Sequence, residues 1–134
     1  MYHGPHLLIV YRGTISPNPL PTWKLYEERL SDIAGINMLK AVPNSKHARH
    51  MFTILVDPVR RNDILGNLQE KGIGAAVNYR AIHLLKYYRE KFGYKEGDFP
   101  VAEDIGSRTI TLPLYSKLRG NAIVYISEHI KECC

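Results

Sequence analysis

The chain has 134 residues, of which 45% are hydrophobic and 23% charged, and it carries a formal net charge of +5 with a pI near 9.2. Such a chain makes one domain that removes roughly two-thirds of its unfolded surface from water, so it needs no metal or disulfide staple and does not have the composition of a disordered tail. The positive excess raises the question of nucleic acid, but Arg60-Arg61 is the only adjacent pair and Arg89-Glu90-Lys91 and Lys95-Glu96 mix the signs, which describes a solvated mixed surface.

Met1–Pro21 shows no clear period, and Pro17, Pro19 and Pro21 withhold ladder or helix hydrogen bonds. This segment reads as an irregular lead-in or a non-native leader. The run Leu7–Val10 is too short to span a bilayer. Thr22 is expected to cap a helix in which Trp23, Tyr26, Leu30 and Ile33 recur at helical spacing and Gly35 supplies the stop. Lys46–Asp57 reads as a strand covered on both faces, because Met51, Phe52, Ile54, Leu55 and Val56 are almost continuously apolar. His47 and His50 are three apart, which at strand spacing points them to opposite faces and argues against a shared metal; His50 reads as structural. Asn62 or Asp63 is expected to cap a second helix, with Ile64, Leu65 and Leu68 as its apolar stripe and Gly72 as a left-handed C-terminal cap.

The chain is organised around Gly72–Arg89. Ile73, Ala75, Val77 and Tyr79 alternate with smaller or more polar residues as a half-buried strand requires, and the stretch ends as a helix over Leu84–Phe92. Between them an amide, a phenol, a guanidinium and an imidazole crowd the corner Asn78–His83. Phe99-Pro100 opens a further helix, Thr109–Leu112 makes a strand closed by Pro113, and Lys117–Lys131 is an amphipathic helix with Ile123, Ile126 and Ile130 inward. Strand, helix and strand joined closely over residues 46–79 form a crossover unit. The architecture is α+β: a small three-stranded, mainly antiparallel sheet with helices on one face. The adjacent Cys133 and Cys134 do not suit a disulfide, sit where fraying is expected, and fit a reducing compartment, so the chain reads as cytoplasmic.

Several motifs occur in order: a strand ending in an aromatic beside a polar residue, a His four positions later, Lys86-Tyr87-Tyr88, Phe99-Pro100-x-Ala102-Glu103, and Leu112-Pro113-Leu114. Over roughly Thr22–Lys131 this set resembles the C-terminal domain of the pyridoxal-phosphate sugar aminotransferases of the DegT/DnrJ/EryC1/StrS family. The run Asn78–Phe92 looks most like the branch that aminates a 4-keto pentose for lipid A modification, the UDP-4-amino-4-deoxy-L-arabinose-type aminotransferases. The resemblance implies a small C-terminal domain over residues 22–134, cut from a longer, homodimeric enzyme whose large domain carries the cofactor lysine. Pyridoxal phosphate then belongs to the parent, none is expected on this chain, and this chain alone is inactive and prone to self-associate. The substrate class implied is a nucleotide-linked keto sugar, with glutamate as amino donor, for cell-surface polysaccharide or lipid A sugar synthesis.

The residues agree with that division. A transaminase needs a Schiff-base lysine, an acid for the pyridine nitrogen and a phosphate cradle. Lys86, the lysine nearest the corner, sits on a charged helix, and no lysine has the Ser-x-x-Lys setting the family uses. What the corner offers is recognition: Asn78 as donor and acceptor, Tyr79 as phenol and stacking face, Arg80 as a fork for phosphate or carboxylate, and His83 as a donor. Beside this stands a plainer reading, in which Tyr79 belongs to the core with Val77 and His83 caps the helix that follows. Two other classes remain: a stand-alone basic module for single-stranded RNA, using Tyr79, Tyr87 and Arg80, and an interaction domain that pairs through its sheet.

Overall fold

The computed structural model describes residues 20–134. Met1–Pro19 lies outside the described residues. Helix α1 (Leu20–Leu30) starts ahead of Thr22, so Thr22 sits inside the helix instead of capping it. Strands β1 (Asn37–Met38), β2 (Phe52–Leu55) and β3 (Thr109–Leu112) pair in the order β1-β2-β3, antiparallel throughout. Helices α2 (Arg61–Glu70), α3 (Lys86–Phe92), α4 (Pro100–Arg108) and α5 (Gly120–Cys133) complete the expected α+β arrangement.

The β2–β3 register sets Phe52 opposite Leu112 and Ile54 opposite Ile110, so these four share one face. They join Trp23, Tyr26 and Leu30 of α1, Ile64 and Leu68 of α2, and Ile123, Ile126 and Ile130 of α5 in one core. Each fully buried aliphatic or aromatic side chain there contributes about 1.5–3 kcal/mol over its exposed state. Tyr26 stacks on Phe52 with ring centroids 4.8 Å apart and donates its hydroxyl to the carbonyl of Pro113 at 2.9 Å. Burial, with Tyr115 nearby, keeps that phenol protonated far above its usual range.

The strand expected over residues 73–79 shrinks to one rung. Ala75 donates back to the carbonyl of Ile73, which bends the chain, and only Ala76 pairs with Thr111, through both of its backbone groups. Because Ala76 and β2 each run antiparallel to β3, they run parallel to one another with β3 between them, and α2 is their crossover. Burial follows the expected alternation only at its start: Ile73 and Ala75 are inside, but Tyr79, which strand spacing would put on the same face, is exposed.

Glycines end α2 and α3, whereas α1 stops at Leu30, before Ile33 and the Gly35 expected to end it. Gly72, at φ +75°, donates to the carbonyl of Gln69 while Ile73 donates to that of Leu68, the paired bonds of a Schellman stop. At the other end of α2 the cap position is Arg60, with no side-chain cap bond from Asn62 or Asp63. His50, expected to be structural, is exposed. The C-terminal cysteines, expected to fray, are pinned: the Arg60 guanidinium donates to the carbonyls of Cys133 at 2.7 Å and Cys134 at 3.2 Å. Among the described residues no helix is long and apolar enough to cross a membrane, and no cluster of three metal-ligating side chains occurs.

Replacing Tyr26 by Phe removes one hydrogen bond and keeps the stacked ring, so urea unfolding should show a loss of about 1 kcal/mol. Tyr26→Ala should cost about 3–5 kcal/mol. Equal losses for the two variants would contradict packing as the larger contribution.

Candidate functional site

The corner after Ala76 is shaped by helix α4. Pro100 at its first turn and Phe99 at its N-cap fix where α4 begins, and it runs directly into β3, so the strand register fixes where it ends. Gly106 of α4 lies against the corner: a Cβ there would stand 2.6 Å from the backbone nitrogen of Ala81 and 3.2 Å from the carbonyl carbon of Arg80. Only glycine permits this approach without a shift of backbone. The Asn78–Tyr79 peptide is cis, and the carbonyl of Asn78 accepts from the Thr109 hydroxyl at 3.4 Å.

Between the corner and α4 opens a cleft of about 620 Å³. The corner contributes Tyr79, Arg80, Ala81, Ile82 and His83, and α4 contributes Ala102, Ile105 and Gly106. Its third wall is aromatic, from Tyr88, Phe92, Tyr94 and Phe99. These rings touch in sequence: Tyr88 stacks on Phe92 at 6.1 Å, Phe92 meets Tyr94 at 5.8 Å, and Tyr94 meets Phe99 edge-on at 5.6 Å.

The predicted site residues divide by position. Tyr79 is 67% exposed and lines the cleft, so it is not a core residue. His83 is 7% exposed and also lines the cleft; it sits in the 3-10 turn Ile82–Leu84, and Leu85 occupies the cap of α3 without any side-chain bond. Arg80 lines the cleft as well. Asn78 is half-buried, accepts from Thr109 through its backbone carbonyl, and is not part of the cleft lining.

His83 meets a partner that sequence reading did not single out. Its Nε2 lies 2.8 Å from Oε1 of Glu103, whose carboxylate also accepts from the backbone N–H of Gly97 at 2.9 Å and of Phe99 at 3.3 Å. The His83 bond, together with those of Gly97 and Phe99, holds the Glu103 carboxyl below the usual range against the opposing effect of burial. Phe99 and Tyr94 brace the imidazole edge-on at 4.9 Å and 6.3 Å. The motif Phe99-Pro100-x-Ala102-Glu103 was visible in the sequence, but its contact with His83 spans 20 residues and leaves no local spacing signal.

Arg61, at the start of α2, is nearly buried, and its Nε and Nη1 have no hydrogen-bond partner among the described residues. Burial first and the nearby positive charge of Arg80 second lower its pKa. No lysine lines the cleft; Lys86 is 87% exposed and pairs with Glu90 at 3.8 Å. The residues at this cleft do not by themselves fit a pyridoxal phosphate site, which needs a desolvated amine.

Residues 20–131 match the sequence profile of the DegT/DnrJ/EryC1/StrS aminotransferase family. The chain belongs to this family. Full-length members of the DegT/DnrJ/EryC1/StrS family depend on pyridoxal phosphate. The chain is 30% identical over 112 residues to the spore coat polysaccharide biosynthesis protein SpsC of Bacillus subtilis, a match covering 80% of this chain and 29% of SpsC. It is 28% identical over 117 residues to the UDP-4-amino-4-deoxy-L-arabinose–oxoglutarate aminotransferase of Shewanella sediminis, covering 80% of this chain and 30% of that protein. The solved structure of Helicobacter pylori PseC, an aminotransferase involved in the biosynthesis of pseudoaminic acid, shares the fold at a TM-score of 0.77 and 22% identity, over 86% of this chain and 31% of PseC. The chain therefore spans about 30% of the length of the curated relatives it matches.

Gly106 and Gly66 make a paired test of the close approach, because nothing lies within 4 Å of a Cβ added at Gly66 of α2. Gly66→Ala should stabilise by about 0.4–1 kcal/mol, and Gly106→Ala should destabilise by about 1–3 kcal/mol and shift the amide resonances of residues 79–83. Stabilisation by both would refute the contact.

Glu103 also sets a pH dependence. Its pKa is lower folded than unfolded, so its contribution to stability is complete above the ordinary glutamate value of about 4.3 and is lost as pH falls through the depressed folded value. The stability gap between wild type and Glu103→Gln should therefore be largest near neutral pH and close on acidification; a constant gap would argue against the linkage.

Proposed function

We propose that this segment is the substrate-covering wall of an aminotransferase that moves an amino group from glutamate to a nucleotide-linked keto sugar, in cell-surface polysaccharide or lipid A sugar biosynthesis. The observation that carries the reading is the cleft between the corner and α4, in an aminotransferase family member, with the Tyr79 phenol open to it and the His83 imidazole in its wall. A sugar needs a flat apolar face and a few directed polar groups, and this lining supplies both. Arg80 in the lining, with the charge of Arg61 close enough to interact with it, gives the positive potential that a nucleotide diphosphate would use. The names borne by SpsC and by the Shewanella enzyme point the same way.

On this reading pyridoxal phosphate supplies the electron sink, and the lysine that holds it comes from the other roughly 70% of the polypeptide, by the length of the relatives. This chain's residues bind and orient the sugar and keep water from its reacting face: Tyr79 stacks on the ring, His83 meets a sugar hydroxyl, Asn78 holds the corner, and Arg80 anchors the phosphates. The chain alone does not transaminate. The assembled enzyme is a cytoplasmic homodimer, and a severed small domain self-associates through surface the large domain would cover.

Tyr79 is exposed, so its truncation spares the fold and isolates the role. In the complete polypeptide carrying this segment, Tyr79→Ala should lower kcat/KM for the keto sugar about tenfold, the effect of roughly 1.4 kcal/mol, and leave the half-reaction with glutamate unchanged. Unchanged sugar kinetics, or equal loss in both half-reactions, would overturn the assignment.

A further inference from the structure

The contact between His83 and Glu103 decides which face of the imidazole's chemistry the cleft receives. A neutral imidazole carries one N–H and one bare nitrogen, and the partner of one nitrogen dictates the state of the other. Glu103 Oε1 stands 2.8 Å from Nε2, and the same carboxylate already accepts from the N–H groups of Gly97 and Phe99. A carboxylate gathering backbone donors is acceptor-only, so the hydrogen of the His83 contact lies on Nε2. Nδ1 finds no partner among the described residues and is not sealed away as an unpaired buried atom, while the ring lines the cleft. Phe99 and Tyr94, packed edge-on, restrict rotation of the ring that would exchange the two nitrogens.

We propose that Glu103 is a positioning residue that commits His83 to the Nε2–H tautomer, so that His83 meets the ligand of the cleft at Nδ1 as a hydrogen-bond acceptor and selects a hydroxyl or amino donor there. This revises the sequence expectation that His83 acts as a donor. The tautomer stands on the geometry alone; the choice of ligand group rests on reading the cleft as a sugar site. A carboxylate that only staples α4 to the corner would fix the fold without any requirement on which ligand group is accepted. The positioning role adds that requirement.

Nitrogen NMR of the 134-residue chain, measured at about pH 9, above the ordinary imidazole range, reads the tautomer directly. Wild type should show His83 with roughly nine-tenths of its population as the Nε2–H form, and Glu103→Gln, whose amide both donates and accepts, should move the ring to a mixture of the two tautomers. A predominant Nδ1–H or doubly protonated ring in the wild type would overturn the proposal whatever the variant does. So would a tautomer unmoved in a folded Glu103→Gln. UDP-glucose, as a probe for a nucleotide-linked polyol, should shift Nδ1 and leave Nε2 in place. A shift confined to Nε2 would overturn the acceptor assignment, and no shift at either nitrogen would overturn the ligand half while the tautomer result stood.

Discussion

The packing of α4 on the corner at Arg80–Ala81 is the constraint on which the cleft depends. Gly106 lets the helix come within what would be a 2.6 Å clash for any side chain, and one turn earlier Glu103 ties His83 to the backbone at Gly97 and Phe99. The two residues are three apart and so share a helix face, one closing by absence and the other by charge. Without that approach Tyr79 and His83 would sit on a loop with no opposing wall.

Two parts of the domain divide the work. The core of α1, α2, α5 and the β2–β3 pair is apolar and supplies the stability, while residues 78–106 form an appended wall with few fully buried side chains. The join between them is polar and directional. Val56 donates to the carbonyl of Arg108, the Arg108 side chain donates back to the carbonyl of Val56 at 3.1 Å, and Thr109 reaches Asn78. Because α4 runs without a break into β3, the register that places Ile110 opposite Ile54 also places Gly106 opposite Ala81. A core that folds correctly thus positions a cleft made almost entirely of other residues.

The parts legible in the sequence were those with a local cause. Helical spacing found Trp23, Tyr26 and Leu30, the glycine at position 72 marked a helix stop through its positive φ, and Phe99-Pro100 marked a start. The corner and its exposed phenol were located because polar and aromatic types crowd into Asn78–His83. What escaped detection depends on distant partners. β1 is two residues long and exists only through pairing with β2, and the run from Ile73 to Tyr79 alternates in sequence while tertiary geometry allows it one ladder rung and turns Tyr79 outward. Thr22, Asn62 and Asp63 are good caps by type, yet the helices start ahead of them, where the chain's packing sets the first turn. Glu103 stood in the sequence only as part of a motif, because nothing nearby shows that its carboxylate faces an imidazole.

The most direct measurement is a crystal structure of the complete polypeptide bearing this segment, with a nucleotide-linked sugar bound. The account predicts the sugar ring against Tyr79, with one of its hydroxyls about 3 Å from Nδ1 of His83 and the Glu103 contact at Nε2 intact. A sugar seated elsewhere, with the space between the corner and α4 filled by the protein's own side chains, would contradict it.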